Sequence, residues 1–120
     1  MVIVLPFETP SKKNSRMVDR RTGRTFPSKA FKEWHKKALA YVMANYRIEP
    51  FQGPVSISLE FTHPTLRLSD ADNKVSSIFD LLVDLRIIQD DNWKVITRFD
   101  ARNLYKKGEA SCRVEISQAI

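Results

Sequence analysis

From Val55 to Phe61 apolar and polar residues alternate without a break: Val55, Ile57, Leu59 and Phe61 against Ser56, Ser58 and Glu60. Successive side chains of an extended chain point to opposite faces, so this run reads as a half-buried strand that needs an apolar layer on one side. The period of two recurs further on. Trp93, Val95, Thr97, Phe99 and Ala101 share one face of a second run, with Lys94, Ile96, Arg98, Asp100 and Arg102 on the other. A last strand, about 110–118, turns Cys112, Val114 and Ile116 inward and leaves Ser111, Arg113, Glu115 and Ser117 outside. Asn103 to Glu109, with Lys106-Lys107-Gly108, reads as a hairpin turn between these two strands. The short apolar run Val2 to Phe7 reads as a buried strand ended by Pro6.

Two stretches carry the helical period instead. Ser28 is a good N-cap for a helix reaching about Arg47, with Phe31, Trp34, Ala38, Tyr41, Val42 and Asn45 as its inward stripe. A second helix is expected from about Asp72 to Arg86. Val75, Ile78, Phe79, Leu82 and Leu85 form its core face, and Asn73, Ser77, Asp80 and Asp84 line another side. The order is β-α-β-α-β-β, which implies the α+β class: one small domain over 1–120, a mixed four-stranded sheet, and two helices packed on one face. At 120 residues the chain suffices for one core. Residues 8–27 show neither period and are expected to form a long, mobile basic loop.

Charge is concentrated in that loop. Residues 11–30 hold Lys12, Lys13, Arg16, Arg20, Arg21, Arg24 and Lys29 against Asp19 alone, while the other hundred residues balance thirteen bases with thirteen acids. Such a patch suits a polyanionic partner, although a solvated charged loop is the competing reading. The single cysteine, Cys112, rules out an internal disulfide and favours a reducing compartment. The opening Met1–Phe7 is too short for a signal segment and no run approaches a membrane span, so a soluble cytoplasmic location is expected.

Against the basic background stands an acidic knot. Asp70, Asp72, Asp80, Asp84, Asp90 and Asp91 fall within 22 residues that hold only two bases, Lys74 and Arg86. Crowded carboxylates raise one another's pKa unless a cation sits among them, and hard divalent ions favour such oxygen ligands. Asp70 and Asp72, two apart at a strand-to-helix junction, would share a side in extended backbone. Asp91 would join them if its strand ran beside the end of the one closing near Thr62. Simple capping of the second helix by Asp70 or Asp72 is the rival explanation. Asp80 and Asp84 read as a solvated helix face, and His35 and His63 as surface or packing residues. An EF-hand starting at Asp70 fails, because Val75 and Leu81 stand where Gly and Glu are needed.

Leu5-Pro6-Phe7, Pro10-Ser11 with Asn14, Gly23-Arg24-Thr25 with Ser28, Asp70-Ala71-Asp72-Asn73, Phe79-Asp80-x-Leu82 and Asp90-Asp91 form an ordered set over nearly the whole chain. In this set the chain resembles the RusA family of Holliday-junction endodeoxyribonucleases. The resemblance implies a homodimer, often prophage-borne and acting at the nucleoid, that uses Mg²⁺ (Mn²⁺ substituting) to nick opposed strands of a DNA four-way junction in recombination and repair. It implies Asp70, Asp72 and Asp91 as catalytic metal ligands, with Asp90 as an auxiliary. Lys12, Lys13, Arg16, Arg20, Arg21, Arg24, Lys29, Lys74 and Lys94 are then the expected DNA contacts. One position departs: the family lysine three residues after the Asn is Ser76 here, and Lys74 lies about 200° away around a helix. Two other readings stay open, a non-catalytic nucleic-acid-binding module of the same fold and a hydrolase of small phosphorylated metabolites.

Overall fold

The computed structural model describes residues 1–11, 16–18, 20–27, 29–68 and 71–119, with side chains left undescribed at 16–18, 25–27 and 71–73. Its elements are β1 (Val2–Leu5), β2 (Arg16–Val18), β3 (Thr25–Pro27), α1 (Lys29–Asn45), β4 (Val55–His63), α2 (Ala71–Asp84), β5 (Ile96–Tyr105) and β6 (Ser111–Gln118). Four strands form a mixed sheet in the order β1-β6-β4-β5, with β4 parallel to β5 and antiparallel to β6. The expected α+β arrangement of two helices and a four-stranded mixed sheet is what the chain adopts.

The core lies between one face of the sheet and the two helices. Leu5, Cys112 and Phe61 stand side by side across three strands, as do Ile3, Val114 and Leu59. All six are buried, together with Val55, Ile57 and Ile116. Onto them α1 lays Phe31, Trp34, Ala38 and Val42, and α2 lays Val75, Ile78, Phe79, Leu81 and Leu82. Asn45, placed in the inward stripe by spacing alone, is exposed instead, and its side-chain amide donates to the Tyr41 carbonyl at 2.8 Å. A short polar side chain near the end of a helix bonds back to the carbonyl one turn earlier and stays in water, where it is better placed than in a core.

Two features depart from the sequence reading. Residues 8–27 are not wholly irregular, since β2 and β3 pair antiparallel with Met17 opposite Phe26. Strands of three residues are too short to show a period. The turn between them includes Gly23 at a φ of 70°, a left-handed backbone that glycine adopts without a Cβ clash. The second departure concerns β5 and β6, which do not form a hairpin. They flank β4 on opposite sides, and the connection passes over the end of that strand. There the Lys106 and Gly108 amides donate to the His63 and Pro64 carbonyls, each at 3.1 Å. A turn signal fixes where the chain reverses, not which strand lies between the two arms.

Candidate active site

The β4-α2-β5 crossover decides where the acidic residues go. The start of α2 lies over the end of the sheet where β4 finishes. Lys74 Nζ is 3.6 Å from Glu8 Oε1, and Ser77 Oγ donates to the Pro10 carbonyl at 2.6 Å. Glu8 and Pro10 follow Leu5, whose neighbour Cys112 pairs with Phe61 near the end of β4. Asp72 therefore begins its helix at this end; Asp70 falls outside the described residues, as do Lys12 and Lys13.

The other end of α2 closes with a left-handed residue, Arg86 at a φ of 60°. The Arg86 amide donates to the Val83 carbonyl at 2.9 Å and the Ile87 amide to the Leu82 carbonyl at 3.0 Å, the paired bonds of a Schellman cap. The chain then passes Phe51, whose amide donates to the Ile87 carbonyl, and forms the loop 90–95. Asp90 shapes this loop: Oδ1 accepts from the Asp91 amide at 2.7 Å and Oδ2 from the Asn92 side chain at 3.0 Å. Those hydrogen bonds, the Asp91 amide first, hold the Asp90 carboxyl below its usual pKa. Asn92 Oδ1 in turn accepts from the Lys94 and Val95 amides. Asp91 is left exposed at the end of the sheet where β4 begins, for the Val55 amide donates to the Val95 carbonyl at 2.7 Å.

The expected meeting of Asp91 with Asp72 inside one chain is thus opposed by topology. Because β5 runs parallel to β4, it starts beside Val55 and not beside Thr62. Asp72 and Asp91 stand at opposite ends of a helix about 20 Å long. In sheet terms, roughly 25 Å of strand separates them.

The expected cationic contacts divide as well. Arg20, Arg21, Arg24, Lys29 and Lys94 are exposed, Lys29 pairing with Glu33 at 3.9 Å and Lys94 lying 5.8 Å above the Trp93 ring. Arg16 lies in β2 with its side chain undescribed. Lys74 is different, being only 5% exposed, with its ammonium facing Glu8. Of the described cations expected to meet DNA, Lys74 is thus the one whose ammonium is turned from solvent toward a carboxylate of its own chain. Ser76, at the position of the family lysine, is exposed.

One constellation has no counterpart in the sequence reading. His35 of α1 places Nε2 2.7 Å from Asp84 Oδ2 and Nδ1 3.8 Å from Asp80 Oδ2, and one ligand atom from each residue lies within 4.8 Å of the others. Among the described residues it is the group nearest to a metal-ligating arrangement. Its ring also stacks on Phe31 with centroids 5.8 Å apart, so the histidine serves as a rivet between the helices. Asp80 and Asp84, one turn apart, mark a helix face, but nothing in the sequence says that α1 presents a histidine to it.

A family model described as endodeoxyribonuclease RusA matches residues 6–117. Among curated proteins none matches the chain.

Proposed function

The chain belongs to the RusA family of endodeoxyribonucleases, and from that premise we propose that it resolves Holliday junctions by paired, metal-dependent nicks, with each catalytic centre shared between two copies. The family carries the nuclease assignment and the junction as substrate class. The observation that carries the rest is the separation of Asp72 from Asp91 by the length of α2. Carboxylates so far apart cannot share an ion, and a two-fold partner supplies the missing end of the molecule. Two copies then make two equivalent centres, which suits a reaction on two equivalent strands.

Asp72 of one copy and Asp91 of the other, with Asp70, would hold the cation. The exposed Asp91, beside an Asp90 whose hydrogen bonds hold its carboxyl below the usual pKa, would join Asp72 and Asp70 in a set of carboxylate oxygens suited to a hard divalent ion such as Mg²⁺ or Mn²⁺. Such an ion, when bound, lowers the pKa of coordinated water and offsets charge developing on a phosphate. Asp90 is committed to shaping the loop that presents Asp91. The exposed arginines Arg20, Arg21 and Arg24, beside the β2–β3 turn, grip the arms through phosphates, which positions DNA without reading its sequence.

Mixing two inactive variants tests this reading. Asp72→Asn and Asp91→Asn should each bind a synthetic four-way junction and lose on the order of a hundredfold or more in Mg²⁺-dependent cleavage. Co-refolded together, they form mixed pairs in which one shared centre is intact, and nicking of one strand returns. Centres confined to one chain would stay dead in the mixture. A second reading, junction binding without cleavage, is favoured by Ser76 at the family lysine position and by the burial of Lys74. Salt-sensitive binding with no Mg²⁺-dependent products from the unaltered protein would establish it.

A further inference from the structure

We infer that His35, Asp80 and Asp84 form a second cation site, suited to a transition ion of the Zn²⁺ class, which clamps α1 to α2. It stands apart from the carboxylates assigned to the cleavage of DNA, since Asp80 lies about 12 Å along α2 from Asp72. It needs no second copy of the chain.

Two observations call for a cation. The first is the histidine ring. His35 Nε2 lies 2.7 Å from Asp84 Oδ2, the distance of an N–H donating to a carboxylate. With its proton on Nε2, the neutral ring offers a lone pair at Nδ1. That nitrogen is buried and has no hydrogen-bond partner. It faces Asp80 Oδ2 at 3.8 Å, so two acceptors confront each other across a gap too wide for a hydrogen bond. A bridging water would need about 2.7–3.0 Å to each side, which this gap allows only at a sharp bend. A metal ion needs about 2.0–2.2 Å to each and spans 3.8 Å at an open angle of about 130°.

The second observation is the helix end. Asp84 is the last residue of α2, where the helix dipole disfavours an anion, and that last turn holds no base. Asp80, one turn earlier, adds a carboxylate on the same face, and like charges so spaced repel. A cation between α1 and α2 relieves both costs.

The donors choose the ion. Imidazole nitrogen suits Zn²⁺ and its transition-metal neighbours, whereas Mg²⁺ takes oxygen ligands. His35 Nδ1 and Asp80 bind directly. Asp84 accepts from the other ring nitrogen, as the outer carboxylate of a metal-binding histidine does, and its oxygen also lies within 4.8 Å of the other ligand atoms. Stacking on Phe31 holds the ring in place. Side-chain exposure rises from 16% at His35 through 31% at Asp80 to 52% at Asp84, so water completes the coordination from the open side.

Zinc titration of the DNA-free protein in saturating Mg²⁺ tests the site, the Mg²⁺ keeping all-carboxylate centres filled. Zinc at about a hundred times its dissociation constant should raise the thermal midpoint by at least about 5 °C. His35→Gln and Asp80→Asn should each abolish that rise, and Asp84→Asn should weaken zinc by about 10–100-fold. In ¹⁵N-labelled unaltered protein the His35 Nδ1 resonance should move on zinc binding while Nε2 keeps its proton. That reading decides the matter even if a variant fails to fold. No zinc bound in the presence of Mg²⁺, zinc that stabilises His35→Gln as much as the parent, or a His35 ring that keeps both protons throughout the titration would overturn the proposal.

Discussion

The two flanks of β4 are built from similar strands and end in different states. On one side β6 buries every second residue, Cys112, Val114 and Ile116, beneath the helices. On the other side β5 is longer and nearly bare, although its sequence offers Phe99 and Ala101 to the same face of the sheet. The difference is coverage. The two helices roof β1, β6 and β4, whereas over β5 the roof thins to an edge-on contact of Phe79 with Phe99 at 5.2 Å.

Substitutions in the two flanks should separate them sharply. Ile57→Ala under the roof should cost roughly 2–5 kcal/mol in chemical denaturation, the penalty for a cavity in a packed core. Phe99→Ala, by contrast, should cost about 1 kcal/mol or less in dilute protein. Equal losses at both positions in dilute solution would erase the contrast.

A pH scan sharpens it from the covered side. Burial pushes the Cys112 thiol up to about 12, the Thr9 side chain and then the field of Lys74 offsetting a little of that. In the unfolded chain it ionises near its ordinary value of 9.0, so the native state holds the proton more tightly between those limits. Stability owed to the neutral buried thiol is complete below pH 9 and declines as pH rises toward 12, by about 1.4 kcal/mol per unit. Cys112→Ala should flatten that alkaline slope in urea titrations. A thiol reagent should modify Cys112 of the native protein far more slowly than that of the unfolded chain.

The smallest effect belongs to the cap that closes α2. Arg86 ends α2 in a left-handed conformation that a Cβ disfavours, so Arg86→Gly should stabilise the protein by about 0.5–1 kcal/mol. A loss of stability on thermal denaturation would mean that the Arg86 side chain contributes more than its backbone strain costs.

The covered flank was legible in the chain because its two signals agree. The alternation of Val55 to Phe61 names a face, and the helical stripes of Val75, Ile78, Phe79 and Leu82 name what covers it. The hairpin at β2 and β3 was not legible, since three-residue strands carry no period. Neither was the His35 rivet, because Asp80 and Asp84 reveal a helix face but not what docks there. Asp70, Asp72, Asp90 and Asp91 could be picked out by type and spacing, yet their grouping into one centre rested on a guess about strand direction.

Local sequence is enough to determine which of the longer segments become strands and helices, which side of each is apolar, and that the chain belongs to the RusA family. Those properties depend on neighbours within a few residues or on an ordered set of motifs. Strand partners depend on contacts between residues far apart in sequence, which no local period encodes. Only the folded sheet shows β5 parallel to β4 with β6 on the far side, and so only the tertiary structure decides that Asp72 and Asp91 stand at opposite ends of the sheet within one chain.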